Sequence, residues 1–279
     1  MYFIICHYTP LKERNDFIRK QLNDKVKDVN FYNLDADPSN DNVPISDYSF
    51  ESNINTANTA LFVRKFDRDY LNKDILNKYY LTQHDKSNNI RLEFVEHNNY
   101  NTNKLTYDNF NSKYNYSLNS RGNKLSEMSL ALKHYESLKT ISKLDVSYAM
   151  IIEDDCVFVD NFMQKLKEKM KLFPAGWDIY YPNSCPNPGF RTKGGFKNLN
   201  NTNKIAIKNH PSSVFGVSYL ITKNAATKII DEIEKNKLWL PIDHEFNWLA
   251  YKLDLKVIWN TQSPRITLWG QSGFKSSLN

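Results

Sequence analysis

Met150-Ile151-Ile152-Glu153-Asp154-Asp155 is the point where an apolar run, Val146 to Ile152, meets three consecutive carboxylates. The run is short and uninterrupted, as in a strand of a parallel sheet covered on both faces. Cys156-Val157-Phe158 resumes apolar sequence beyond it, so the acids stand at the rim of a core. Charges there lose hydration unless something neutralises them, and adjacent carboxylates raise one another's proton affinity. A divalent cation answers both problems. Mg²⁺ and Mn²⁺ take hard oxygen ligands and keep part of their shell for water or phosphate, so a cation held by one or two carboxylates can bridge a diphosphate. In parallel α/β sheets ligands collect at the carboxyl ends of strands, where this triplet falls. The competing reading is an acidic turn facing water; the enclosing apolar sequence favours the first.

Outward from the triplet, the chain alternates strand and helix patterns. Tyr2 to Cys6 is an apolar strand, His7 to Pro10 a polar turn, and Leu11 to Leu22 has helical spacing with Leu11, Phe17, Ile18 and Leu22 on one side. Val29 to Leu34 alternates as a strand, completing a β-α-β opening that implies a parallel sheet. Further strands are expected at Thr59–Val63, Ile90–Val95, Trp177–Tyr181, Val214–Ile221 and Leu255–Trp259. Helices are expected at Tyr70–Tyr80, at Leu125–Leu138 with Ser126 as N-cap, from an Asp160 cap to about Leu172, and at Ala225–Ile233. Asp35–Asn55, Asn98–Asn123 and Asn183–Asn203 read as loops, and the last, beside an α/β sheet, is of the kind that shapes binding sites.

Bulk properties narrow the function classes. Hydrophobic residues make up 41% of the 279, enough for a sizeable core, with 17 Tyr and 16 Phe. The net charge of +6 is scattered among acids without a basic block, which argues against a nucleic-acid partner. No stretch is long and apolar enough to span a bilayer, and Met1 to Cys6 lacks the basic lead and cleavage site of a leader, so a cytoplasmic location is expected. Cys6, Cys156 and Cys185 are far apart without a CxxC pair, the pattern of reduced structural thiols.

In order and spacing, several segments resemble glycosyltransferase family 25, the lipopolysaccharide-type and procollagen galactosyltransferases. Met150 to Asp155 looks like the family's apolar strand and EDD. Leu125-Ser126-Glu127 and Lys133-His134 are similar to its helix that begins L-S/T-x-x-E and closes on S-H, although the Gly-Glu-Ile-Gly-Cys centre of that motif is mostly lost. Gly176-Trp177-Asp178-Ile179 resembles its W-D-I strand; Gly216, Tyr219, Ile221 and Ala225-Ala226 its G-x-x-Y-x-I-x-x-x-A-A segment; Pro241-Ile242-Asp243 its P-x-D; and Gln271 and Ser272 the Q and S near its end. The main departure is a longer stretch between Asp35 and Leu125.

The resemblance implies one GT-A-like (Rossmann-like) α/β domain over residues 1–279: a mostly parallel central sheet flanked by helices, with a metal site at a strand's carboxyl end. A donor-binding part covers about 1–160 and an acceptor-binding part about 161–279. It further implies a UDP-sugar donor, Mn²⁺ or Mg²⁺, a glycan or glycoprotein acceptor (possibly collagen-like), and inversion at the anomeric carbon. Asp155, with Asp154, is the expected metal ligand. Glu153, Asp154, Thr9, Pro10, Leu11, Arg14, Glu127 and His134 are expected on the donor side. Asp243 is the candidate base, with His244 and Glu245 as runners-up. Plainer readings stand beside these: Asp243 as a helix N-cap, Arg14 as a solvated helix residue, His134 as a packed core histidine and Glu127 as a capping residue. The rival function is a non-catalytic relative that binds a glycan or partner. A phosphoryl or nucleotidyl transferase ranks last, because no Gly-rich phosphate loop is present.

Overall fold

The computed structural model describes residues 1–34, 58–80, 125–183, 196–198, 205–208, 217–260, 266–268 and 273–274. Strand β1 (Tyr2–Cys6) pairs in parallel with β3 (Asn58–Val63) on one side and with β4 (Tyr148–Glu153) on the other. Strand β2 (Val29–Leu34) lies parallel beyond β3, and helix α1 (Lys12–Lys25) makes the crossover between β1 and β2. On the far side of β4 come β9 (Ser218–Thr222), β6 (Ile179–Tyr181), β10 (Val257–Asn260), β8 (Ile205–Lys208) and β7 (Phe196–Asn198). Following the pairings across this nine-stranded sheet, seven strands run one way and only β9 and β8 run against them. A mostly parallel sheet flanked by helices, as expected from the sequence, is the fold observed. It passes without a break from the expected donor part into the expected acceptor part.

The central strands are buried on both faces, which is why they read as continuous apolar runs. Phe3 and Ile5 of β1, Met150 and Ile152 of β4, and Tyr180 of β6 face one layer, with Ile18 and Leu22 of α1 and with Phe162 and Leu166 of helix α4 (Phe162–Met170). Ile4, Ala149, Ile151 and Tyr219 face the other, against helices α3 (Leu125–Lys143), α5 (Lys223–Asn236) and α6 (Ile242–Lys252). Each fully buried side chain of the size of Phe3 contributes about 2–3 kcal/mol relative to exposure. A short helix α2 (Lys73–Tyr79), capped by the Asn72 side chain at 2.9 Å from the Ile75 amide, follows a 3₁₀ turn at Arg68–Tyr70. A two-stranded ribbon of β5 (Val157–Phe158) and β11 (Thr267–Leu268) follows directly on the acidic triplet.

Several details differ from the sequence expectations. Helix α3 is described from Leu125, and Ser126 lies within it and is not its N-cap. It extends to Lys143, because Ile141 continues the buried face and Leu144 packs just beyond. Helix α4 is preceded by Asn161 in the left-handed region (φ 55°), while the Asp160 carboxylate pairs with Lys25. Where Tyr70–Tyr80 reads as one helix, the 3₁₀ turn and α2 are separate. Thr222 caps α5, accepting from the Ala225 amide at 3.2 Å. Cys6 and Cys156 are buried free thiols, as expected; burial pushes the Cys6 thiol up to about 12. The strand expected at Ile90–Val95, the loops at Asp35–Asn55 and Asn98–Asn123, Cys185, Gly216, Gln271 and Ser272 lie outside the described residues. Among the described residues no helix is long and apolar enough to cross a membrane.

Candidate active site at the strand ends

Cys6 is register partner to both Val63 and Glu153, so β1, β3 and β4 end level. The segments that follow them, beginning at His7, Arg64 and Asp154, emerge on one edge of the sheet. Ser218, at the start of the antiparallel β9, pairs with Ile152 and joins the same edge.

Strand pleating separates the three carboxylates. Successive side chains point to opposite faces, and Ile151 packs in the α3 layer while Ile152 packs in the α1 layer. Glu153 continues toward α3, where its Oε1 lies 3.7 Å from His134 Nε2. Asp154 continues toward α1, where its Oδ1 accepts from the Arg14 guanidinium at 2.9 Å. Asp155 follows in the turn, and its Oδ2 lies 3.4 Å from the same guanidinium.

Asp154 is buried and saturated. Its Oδ2 receives the His7 ring Nδ1 at 2.8 Å and the Tyr8 amide at 3.3 Å, in addition to Arg14 on Oδ1. Burial opposes its charge, but the hydrogen bonds and charges of His7 and Arg14 outweigh it and hold the carboxyl below its ordinary range. Arg14 is itself only 3% exposed. It belongs to the buried stripe Arg14, Ile18, Leu22 of α1, and its guanidinium stacks on the Phe274 ring, 5.4 Å from the centroid. The solvated-helix reading of Arg14 is thereby corrected.

Asp155 is the opposite case. Its Oδ1 is buried with no hydrogen-bond partner among the described residues. Burial, then the neighbouring Glu153 charge, push its carboxyl up to about 7; Arg14 offsets this only in part. A buried carboxylate oxygen without a donor is the chemistry that a hard cation satisfies. Among the described residues no cluster of three or more His, Cys, Asp or Glu side chains could hold a metal ion. A metal centre closed by protein side chains alone is therefore not found among the described residues.

His134 is fully buried, and its Nδ1 shares a 2.9 Å hydrogen bond with the Tyr219 hydroxyl. Burial holds the Tyr219 phenol far above its ordinary range, with smaller contributions in the same direction from Cys6, Tyr181, Glu153 and Asp243. Asp243 lies in the first turn of α6, whose N-cap position is Pro241, so the N-cap reading of Asp243 is corrected.

The remaining expected residues fall in different places. Thr9 and Pro10 are exposed on the turn after β1, and Leu11 stands at the N-cap position of α1. Glu127 is two helical turns before His134, about 10 Å along α3, within electrostatic reach of the buried Tyr80 phenol. Glu245 is fully buried, and its Oε2 accepts the Trp239 and Leu240 amides at 3.1 and 2.8 Å, the geometry of a loop anchor. His244 lies outside the described side chains.

Two buried charges beside the site escape sequence reasoning. Lys133 of α3 donates to the His7 carbonyl and to Asp67, and Asp67 Oδ2 accepts the Thr9 amide at 3.2 Å. The available signal is a polar stripe at helical spacing, Ser129, Lys133 and Ser137, that lies among the buried positions of the helix.

A family model described as glycosyltransferase family 25 (LPS biosynthesis protein) matches residues 9–246. No curated protein matches the chain. Among solved structures, mouse xyloside xylosyltransferase 1 in its apo form is similar over 94% of this chain and 84% of that one, at 8% identity and a TM-score of 0.33.

Proposed function

From the premise that the chain belongs to glycosyltransferase family 25, as the match over residues 9–246 shows, we propose that this glycosyltransferase moves a hexose from a UDP-sugar to a hydroxyl of a glycan or protein acceptor, with inversion and with a divalent cation, Mn²⁺ or Mg²⁺. The observation that carries this reading is the buried Oδ1 of Asp155, without a donor among the described residues, just past the carboxyl end of a central strand.

In this reading Asp155 is the protein's principal metal ligand and Glu153 supports it. Asp154 holds Arg14 and the turn after β1 in place, because protein donors already occupy both its oxygens. The cation, when bound, neutralises charge that grows on the departing diphosphate. The turn at Thr9-Pro10-Leu11 and Arg14 face the donor, within residues 1–160, and the acceptor is taken up by residues 161–279. Asp243 accepts the proton of the acceptor hydroxyl as its oxygen bonds to the anomeric carbon and the bond to the diphosphate oxygen breaks. Residues of helix α3 contribute through His134, which orients the Tyr219 hydroxyl and faces Glu153.

The test is transfer or donor hydrolysis by the purified chain with Mn²⁺ and a panel of UDP-sugars, with calorimetry of UDP binding alongside. Turnover of at least one donor, lost on chelation and in Asp155→Asn, is expected. The absence of both binding and turnover with every nucleotide sugar would overturn the reading.

A further inference from the structure

The turn His7–Thr9 is held from below by a buried ion pair that neither forms part of the acidic triplet nor reaches solvent. Lys133 is 2% exposed and Asp67 1%. The ammonium has three N–H donors. It gives them to the His7 carbonyl and the Asp67 carboxylate, and it faces the Tyr8 ring, 5.6 Å from the centroid. Asp67 then uses its second oxygen on the Thr9 amide. The neighbouring residues of the α3 stripe fasten the same strand ends: Ser129 donates to the Phe66 carbonyl at 2.6 Å, and Ser137 shares a 3.5 Å contact with the Cys6 thiol. Above the turn, Tyr8 donates to Asp69 at 2.5 Å and accepts from Arg68 Nε at 3.0 Å.

Such a pair is a poor device for stability alone. Desolvation of two charges cancels much of their attraction, and apolar replacements are often neutral or better. What the pair supplies here is direction: its hydrogen bonds end on two backbone groups of one three-residue turn. We propose that Lys133 and Asp67 are positioning residues for the nucleotide-sugar donor, setting the backbone of His7–Thr9 and the Tyr8 ring in the geometry that receives it. This rests on the assignment of that turn to the donor side given above. Neither residue touches the donor; each acts through the turn.

The experiment uses the full chain and the variants Lys133→Met, Asp67→Asn and the double variant. Expected in the double variant is a melting temperature close to that of the parent, a donor KM raised about tenfold or more, kcat within about threefold and an unchanged acceptor KM. Hydrogen exchange of the peptide spanning His7 to Leu11 accelerates, while that of β4 does not. Where Lys133→Met alone fails to fold because it strands Asp67, the double variant carries the test. A folded double variant with the parental donor KM overturns the proposal, as does a loss shared equally by kcat and both KM values. Should the parent turn over no nucleotide sugar, the function assigned above fails separately. Exchange at the turn then judges the pair, and unchanged exchange in the double variant refutes it.

Discussion

His7 and Asp154, 147 residues apart in the chain, meet at 2.8 Å because each is the first residue past the end of its own strand in a register-matched parallel pair. The contact joins the first strand to the acidic triplet and, with Tyr8 and Arg14, gives both Asp154 oxygens a hydrogen-bond donor. Asp154→Ala leaves the Arg14 guanidinium and the His7 ring buried without their acceptor. It should lower stability by about 3 kcal/mol, read as a shift in the urea midpoint. Asp155→Asn removes a partly buried charge that has no donor on one oxygen among the described residues, so at pH 8 it should leave stability unchanged or raised while abolishing transfer. Equal destabilisation by the two substitutions would contradict this division.

The Asp155 carboxyl stands at about 7 in the folded chain against an ordinary value of 3.8. Between those values the folded state binds a proton that the unfolded state has released. The group's contribution to stability is therefore complete below about pH 4 and is lost as pH rises through about 7. Asp154, held below its ordinary range, acts in the opposite sense and only in acid, losing its contribution as pH falls through its folded value. Cation binding at Asp155 competes with its proton, so Mn²⁺ affinity should rise by up to about tenfold per pH unit below 7 and level off above. Calorimetry at pH 6 in buffers of different ionisation enthalpy should register release of about one proton per ion.

Asp243→Asn keeps the shape of the α6 first turn and removes the proton acceptor. Transfer should fall by about 10²–10⁴ in kcat, with UDP affinity within about twofold of the parent, measured by initial rates and calorimetry. A variant that retains most of its kcat would reassign the base.

Glu245, itself fully buried, accepts the Trp239 and Leu240 amides from within α6. Glu245→Ala strands both donors and should cost about 2–3 kcal/mol. The accompanying release of Trp239 should be visible as a change in its emission. Retention of the parental melting temperature would show that the anchor is dispensable.

Much of this architecture is legible in the sequence, and the physical reasons differ from element to element. Tyr2–Cys6 and Tyr148–Glu153 announce themselves because strands covered on both faces have no polar alternation to mask them. Helix α3 is visible in the spacing of Met128, Leu132, Tyr135 and Leu138. The direction of a strand leaves no such trace: nothing in Ser218–Thr222 reveals that it enters antiparallel between β4 and β6. The site is legible as a place but not in its division of labour. That Asp154 is saturated and Asp155 is not depends on Arg14 and His7, which arrive from the far end of the chain. The burial of Lys133 shows only once Asp67 and the His7 carbonyl are seen around it.

The pleat of β4 has a consequence for how the motif can vary. Glu153 and Asp154 differ in surroundings by parity, since odd positions of β4 look toward α3 and even ones toward α1, while Asp155 lies beyond the strand in the turn. Deleting one residue within Ala149–Ile152 would preserve the acidic letters and the apolar character of the strand, yet exchange the surroundings of Glu153 and Asp154. The motif is therefore tolerant of which apolar residue precedes it and intolerant of how many.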